Sequence, residues 1–291
     1  GRTGGAPSVA AARVNALEDG VAQLADAADP CSNYPFVDLE EVLHSNLGKQ
    51  GPNTGDQEGI VYKATDYMPG QPSQKLLIVV NASAAYKAGH PKYNGIHGKY
   101  GLITLKAGNE AEFTFRILDP KTGALKRLAK QEFTFFDLDQ LGEGKSGTNR
   151  EYLEVANADQ TWLTKNTEIE VTALADGKIK FMSSQPGNGK DNPKDPLALT
   201  VQQKNRAVTI EFRDFEELKV TLGCTPGRHA RYFMFVMRPS LLCAKTVGQV
   251  SADEDKPVVV DATQAPTPAP AAQQDCWWLV PIIKYCLKKF W

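Results

Sequence analysis

From about Asp56 to Pro239 apolar and polar positions fall in short β-rich runs, several of them alternating, separated by Gly, Pro, Asn and Asp. In "EAEFTFRIL", Phe113, Phe115 and Ile117 fall on one side and Glu112, Thr114 and Arg116 on the other. A period of two marks a strand with one buried face, because successive side chains of extended backbone point in opposite directions. "TEIEVTAL" repeats the scheme, with Ile169, Val171 and Ala173 directed inward. "KLLIVVNA", "GLITLKA", "QEFTFFDL", "REYLEVA", "KIKFMSS", "RAVTIEF", "ELKVTLG" and "RYFMFVM" also read as strands. No helical segments alternate with them, so the pattern predicts a mainly β chain: an antiparallel, jelly-roll-like sandwich rather than a parallel α/β sheet.

The two ends break this texture. Val9, Val14, Leu17, Val21 and Leu24 recur at helical spacing in an Ala-rich segment that stops before Pro30 and Pro35, which predicts an N-terminal amphipathic arm. It packs either on its own domain or on a partner. After Cys243 the periodicity is lost, and "SADEDKPVVVDATQAPTPAPAAQQ" has the acidic, then Pro/Ala-rich composition of a linker. The expected organisation is an arm over 1–30, a sandwich over 31–245, a linker over 246–275 and a tail over 276–291.

That tail, "CWWLVPIIKYCLKKFW", concentrates Trp277, Trp278, Ile282, Ile283, Lys284, Leu287, Lys288, Phe290 and Trp291. As a helix starting at Pro281 it would carry an apolar stripe bordered by lysines and aromatic rings, which suits a membrane interface or a partner groove. It is shorter than the ~20 apolar residues a spanning helix needs. The competing reading folds it back onto the sandwich.

Composition removes some classes. Lys plus Arg number 33 against 34 Asp plus Glu, a balance without the basic excess of a nucleic-acid binder, so nucleic acid is not expected as a partner. The cysteines, Cys31, Cys224, Cys243, Cys276 and Cys286, form no CxxC and no zinc-type spacing; one disulfide can form among the first three, and Cys276 and Cys286 either pair or stay free. Asn81-Ala82-Ser83 is a sequon beside a strand, and the small-residue start "GRTGGAPSVAAA" at Gly1 is read as a processed or engineered start, such as removal of a targeting peptide would leave.

Asp137 and Asp139 follow the apolar run "FTFF". Set against a calcium loop starting at Asp137, the fifth position is Leu141 and the twelfth Thr148, so two ligands are missing. A cation site therefore needs carboxylates from elsewhere, such as Asp119 or Glu151; otherwise the acids end a strand and keep a sheet edge soluble. The loop "SQPGNGKDNPKDPLALT" offers Asp191, Asn192 and Asp195 to a sugar or a cation, or uses them to fix turns. His44, His90, His97 and His229 are dispersed, and no nucleophile elbow, phosphate loop or dinucleotide fingerprint is present, so no enzyme is expected. Arg228, Arg231 and Arg238 are read as solvated residues flanking a core strand.

"NGIHGKYGLITLKAGNEAEFTFRILDPKTG", "FTFFDLDQ", "GNGKDNPKDPLALTVQQKNRAVTIEFRD" and "RYFMFVM", spread over most of residues 76–238, resemble a sandwich module of secreted and organelle-targeted proteins of dinoflagellates and other algae. The resemblance implies an extracytoplasmic or organelle module and assigns no catalytic residue. Taken together, the expectation is a non-enzymatic accessory or structural subunit that binds partner proteins at a membrane surface, for example in a photosystem–light-harvesting supercomplex at a thylakoid or in a cell-surface assembly. The alternative is a secreted or cell-surface carbohydrate-binding module with no required cofactor, or with Ca2+. Its distinguishing feature would be exposed aromatics beside the acids. A hydrolase would need a facing pair of carboxylates.

Overall fold

A computed structural model describes residues 29–142, 148–248 and 257–260. Its strands are β1 (Phe36–Asn46), β2 (Gly59–Tyr67), β3 (Gln74–Ala82), β4 (Gly95–His97), β5 (Tyr100–Leu105), β6 (Glu110–Leu118), β7 (Leu128–Phe136), β8 (Glu151–Val155) and β9 (Gln160–Thr164). They continue with β10 (Ile169–Ala173), β11 (Ile179–Ser183), β12 (Ala198–Leu199), β13 (Val208–Phe215), β14 (Glu217–Cys224), β15 (Arg231–Val236), β16 (Lys245–Thr246) and β17 (Pro257–Val259). Two short α-helices, α1 (Val201–Asn205) and α2 (Ser240–Cys243), and two single 3-10 turns, Leu47–Lys49 and Pro91–Tyr93, complete the described elements.

The strands form two large antiparallel sheets, ordered β1-β2-β3-β6-β14-β8-β11-β10 and β17-β9-β13-β7-β15-β5-β4, and a short parallel pair, β12-β16. From β6 to β9 each strand passes to the opposite sheet, and so do β11, β13 and β14 in turn. The result, β6-β14-β8-β11 facing β7-β13-β9, is the strand order of a jelly roll with its two nested Greek keys. The predicted class therefore holds. Phe113, Phe115 and Ile117 are fully buried, as the alternation requires. Phe115 packs edge-on against Phe133 at 5.7 Å and Phe235 at 5.4 Å from the other sheet. Removing such a ring typically costs about 3–5 kcal/mol through lost transfer energy and the cavity left behind.

A second apolar cluster lies on the far face of the seven-stranded sheet. Tyr100, Leu102, Phe136, Met234 and Val236 of that face are covered by Leu199 and Leu241. The loop before Thr200 thus acts partly as a roof, and α1 begins beneath a capping box formed by Thr200 and Gln203.

Cys31 and Cys243, 212 residues apart, form a disulfide, while Cys224 is buried and free. Beside the disulfide, Arg238 donates to Asp29 at 2.6 Å and to Asp38 at 2.5 and 2.8 Å, and its guanidinium lies 3.9 Å from the Phe36 ring centre. Arg231 and Arg238 are therefore not solvated flanks: burial on a charged seam holds both in ion pairs. Pro257–Val259, placed in the linker by composition, pairs with β9, because its β-branched run matches an open strand edge. The amide of Asn81 in the sequon donates to Glu58 at 2.7 Å and its oxygen accepts from Arg116 at 2.8 Å, so the glycosylation atom is already engaged. The arm up to residue 28 and the anchor residues Trp277, Trp278, Ile282, Ile283, Lys284, Leu287, Lys288, Phe290 and Trp291 lie outside the described residues. Among the described residues no helix is long and apolar enough to cross a membrane.

Candidate functional site

The two acidic loops singled out in the sequence meet. Asp137, Asp139 and Asp191 bring carboxylate oxygens within 4.8 Å of one another. Asp137 turns the chain out of β7 with φ of 59°, and β7 lies between β13 and β15, so these acids end an interior strand rather than guard a sheet edge. Glu151 joins them from the start of β8: its Oε2 accepts from the Asp139 N–H at 3.2 Å. Asp119 stays away and accepts from Lys121 and Thr122 in its own turn. Asp195 pairs with Lys99 at 2.8 Å, and Asn192 directs its amide to the Met234 sulfur.

Two arginines answer this charge. Arg231 donates to Asp139 and, at 2.8 Å, to Glu151; Arg206 donates to Glu168 and Asp191, each at 2.6 Å. A side chain at Gly187 would collide with the Asp139 carboxylate and with Arg206, which fixes glycine there. Burial, reinforced by Asp139, Glu151 and Asp191, pushes the Asp137 carboxyl up to about 9. Burial likewise raises Glu151 to about 7, against the pull of Arg231. Calcium takes six to eight oxygens. Here guanidinium groups already engage two of the three clustered aspartates, so an incoming cation must displace an arginine, whereas a proton on Asp137 needs no rearrangement.

A second buried acid pair faces across β7 and β13. Glu132 and Glu211 are directly opposite in register, both buried, with the Lys130 ammonium 2.9 Å from one and 3.0 Å from the other. Burial raises the Glu132 carboxyl. This is a facing pair of the type a glycosidase uses. However, Lys130 sits between the two carboxylates, and neither glutamate lines either of two surface clefts, one beside Arg238 and one beside Phe212.

One of those clefts, about 330 Å³, is lined by Val37, Leu39, Leu197 and Met237 with Asp38, Lys99 and Arg238 at its rim. Its cations are already paired, Lys99 to Asp195 and Arg238 to Asp29 and Asp38.

Sequence reasoning missed a cluster of rings at the start of β15. His90, Tyr93 and Tyr232 form a near-regular triangle with centroid separations of 5.7, 6.1 and 6.2 Å. His90 and Tyr93 are exposed, and His90 Nδ1 shares a 2.6 Å hydrogen bond with the Tyr232 hydroxyl. The loop carrying them is fixed from beneath by buried Asn94, which donates to the Tyr86 hydroxyl at 2.8 Å and accepts from the Thr104 N–H at 2.8 Å and its hydroxyl at 3.0 Å. Thr104 Oγ1 in turn accepts from the His90 N–H, and the His90 carbonyl lies within reach of the same hydroxyl proton that Asn94 accepts. Tyr232 follows Arg231, and its N–H donates to Glu151 at 3.3 Å, so the rings adjoin the acidic network. "HPKY" carried a signal in its proline-fixed turn; Tyr232, 142 residues from His90, did not.

No family model matches the chain, and no curated protein matches it. Among solved structures it is similar to the adhesin domain of PrgB from Enterococcus faecalis, at 14% identity over 73% of this chain and 70% of that one, with a TM-score of 0.38. The same domain bound to DNA gives 14% identity over 63% and 68%, with a TM-score of 0.35. The glucan binding protein C of Streptococcus mutans gives 12% identity over 70% and 68%, with a TM-score of 0.36. These likenesses are too distant to carry a function across, and nothing in them supports excluding nucleic acid as a partner.

Proposed function

We propose that this chain is a non-catalytic carbohydrate-binding domain of an extracytoplasmic protein, with the ligand lying on His90, Tyr93 and Tyr232. The observation that carries the reading is the exposed, pre-set ring surface beside the acidic network. Ordering a binding loop on contact costs affinity, and the Asn94–Thr104 bonds beneath this loop have already met that cost in folding. An aromatic face offers apolar contact to the C–H face of a pyranose ring, while the neighbouring polar groups address its hydroxyls.

Non-catalytic function rests on Lys130, which holds both Glu132 and Glu211 in ion pairs. Extracytoplasmic placement rests on Cys31–Cys243, since a disulfide joining distant segments persists in oxidising compartments; the algal resemblance is retained as its setting. Membrane anchoring by Cys276–Trp291 and a host such as a photosystem assembly are separate readings, drawn from the sequence of that tail and from the resemblance. Release from membranes on deleting the tail would test the anchor. Affinity electrophoresis of the full chain in gels containing individual polysaccharides tests the main reading: retardation is expected in at least one gel and is expected to be lost in Tyr93→Ala, whose side chain is exposed. Equal retardation of the variant contradicts it.

A further inference from the structure

Some cations on this molecule are paired, such as Lys75 with Glu40, Lys99 with Asp195 and Arg116 with Glu217, and others, such as Lys49, Lys121 and Lys165, are exposed and in no ion pair among the described residues. The segments that carry the ring cluster hold several of the unpaired kind. Lys92 lies over the Tyr93 ring at 4.8 Å, exposed, with no carboxylate within ion-pair distance among the described residues. Lys87 and Lys106 are exposed and joined through their backbones by a 2.9 Å hydrogen bond, two residues beyond Thr104 along the chain from β5. Arg228 is exposed in the turn leading to Tyr232, where Ala230 packs so closely on Gly89 that a side chain there would collide. None of Lys87, Lys106 or Arg228 meets a described carboxylate either. Lys92 on the Tyr93 ring, with Lys87, Lys106 and Arg228 on the segments that carry the rings, gives this surface four exposed cations that no described carboxylate neutralises.

We infer that the ligand of this surface is an acidic polysaccharide, carrying carboxylate or sulfate groups. The inference rests on the carbohydrate reading above and adds its charge. The rings take up the apolar face of a sugar, and Lys92, held over Tyr93 by attraction to the ring's negative face, meets an acidic substituent on the same or the next residue. A cation without a protein partner can meet an anionic ligand without first breaking an ion pair, which favours a charged ligand over a neutral one. Nucleic acid shares the combination of anion and stacking. It is disfavoured because three mutually packed rings make one platform rather than the succession of platforms that a strand of bases tracks.

The test is calorimetric titration of the full chain with polygalacturonate and with its methyl-esterified, uncharged form, alongside dextran sulfate against dextran. The acidic member of at least one pair is expected to bind about tenfold more tightly, with the gap closing as NaCl rises from about 0.05 to about 0.5 M. Lys92→Gln is expected to weaken the acidic form about three- to fivefold and to leave the neutral form unchanged, the size of a partly exposed charge contact. Preference for polygalacturonate identifies carboxylate and preference for dextran sulfate identifies sulfate. Equal affinity for charged and neutral forms, with Lys92→Gln silent and Tyr93→Ala defective, overturns the acidic ligand and leaves the carbohydrate reading standing. Tyr93→Ala binding like the parent overturns both. Tighter binding of a single-stranded oligonucleotide than of either acidic polysaccharide overturns the choice of macromolecule.

Discussion

At the scale of single residues, Asp137 and Glu151 set the pH response. A carboxyl whose folded pKa lies above its unfolded value holds its proton more firmly in the folded state. Its contribution is greatest at low pH and is lost as pH rises towards the folded value. For Glu151 the window runs from about 4.5 to about 7, and for Asp137 from about 3.8 to about 9. Glu40, held low by Lys75, acts only below the ordinary carboxylate range and does not offset this. Thermal melts should therefore show stability falling between about pH 5 and about pH 9, and Asp137→Asn should flatten the upper half of that fall. A chelator should leave the melting temperature unchanged, since arginines rather than a cation answer the aspartates. The sequence marked Asp137, Asp139 and Asp191 as chemistry-bearing from their loops. It hid Arg231, 92 residues from Asp139, because a distant countercharge leaves no local trace.

Among elements, strands with clean alternation were legible, while β1, β2, β4 and β9 were not read from the sequence. β6 and β10 alternate throughout, whereas β1 shifts register at Leu39/Glu41 and again at Val42/His44, which scrambles its period and hid it. The Pro91–Tyr93 turn was not read from the sequence, and its use as a platform depends on Asn94, whose single buried amide joins Tyr86 and Thr104 while its backbone carbonyl accepts from Ser45. Asn94→Ala would leave the Thr104 N–H unpaired in the interior, a loss of about 1–3 kcal/mol. If the platform is pre-set, this variant should also weaken polysaccharide binding while leaving Tyr93 in place. Unchanged affinity alongside reduced stability would show that the loop needs no fixing from below.

For the whole molecule, the jelly-roll order followed from class-level pattern only in outline, since which strands neighbour each other is a matter of long-range pairing. The disulfide was open among three cysteines and is closed by the meeting of β1 with the segment after β15, where Val37 pairs with Met237. A link across 212 residues removes much of the unfolded chain's freedom, so Cys243→Ser or reduction should lower stability by roughly 2–5 kcal/mol. The same link means that tension applied beyond Cys31 and Cys243 bypasses β1 to β15, so a pulling experiment should show those strands extending only after reduction.

The measurement that bears most directly on the central claim is hydrogen exchange of the full chain with and without the polysaccharide that retards it. Protection should appear at residues 88–94 and 228–234, the segments that build the ring surface. Protection instead around Asp38, Lys99 and Leu197, with the ring segments unchanged, would place the ligand in the neighbouring cleft and contradict the account.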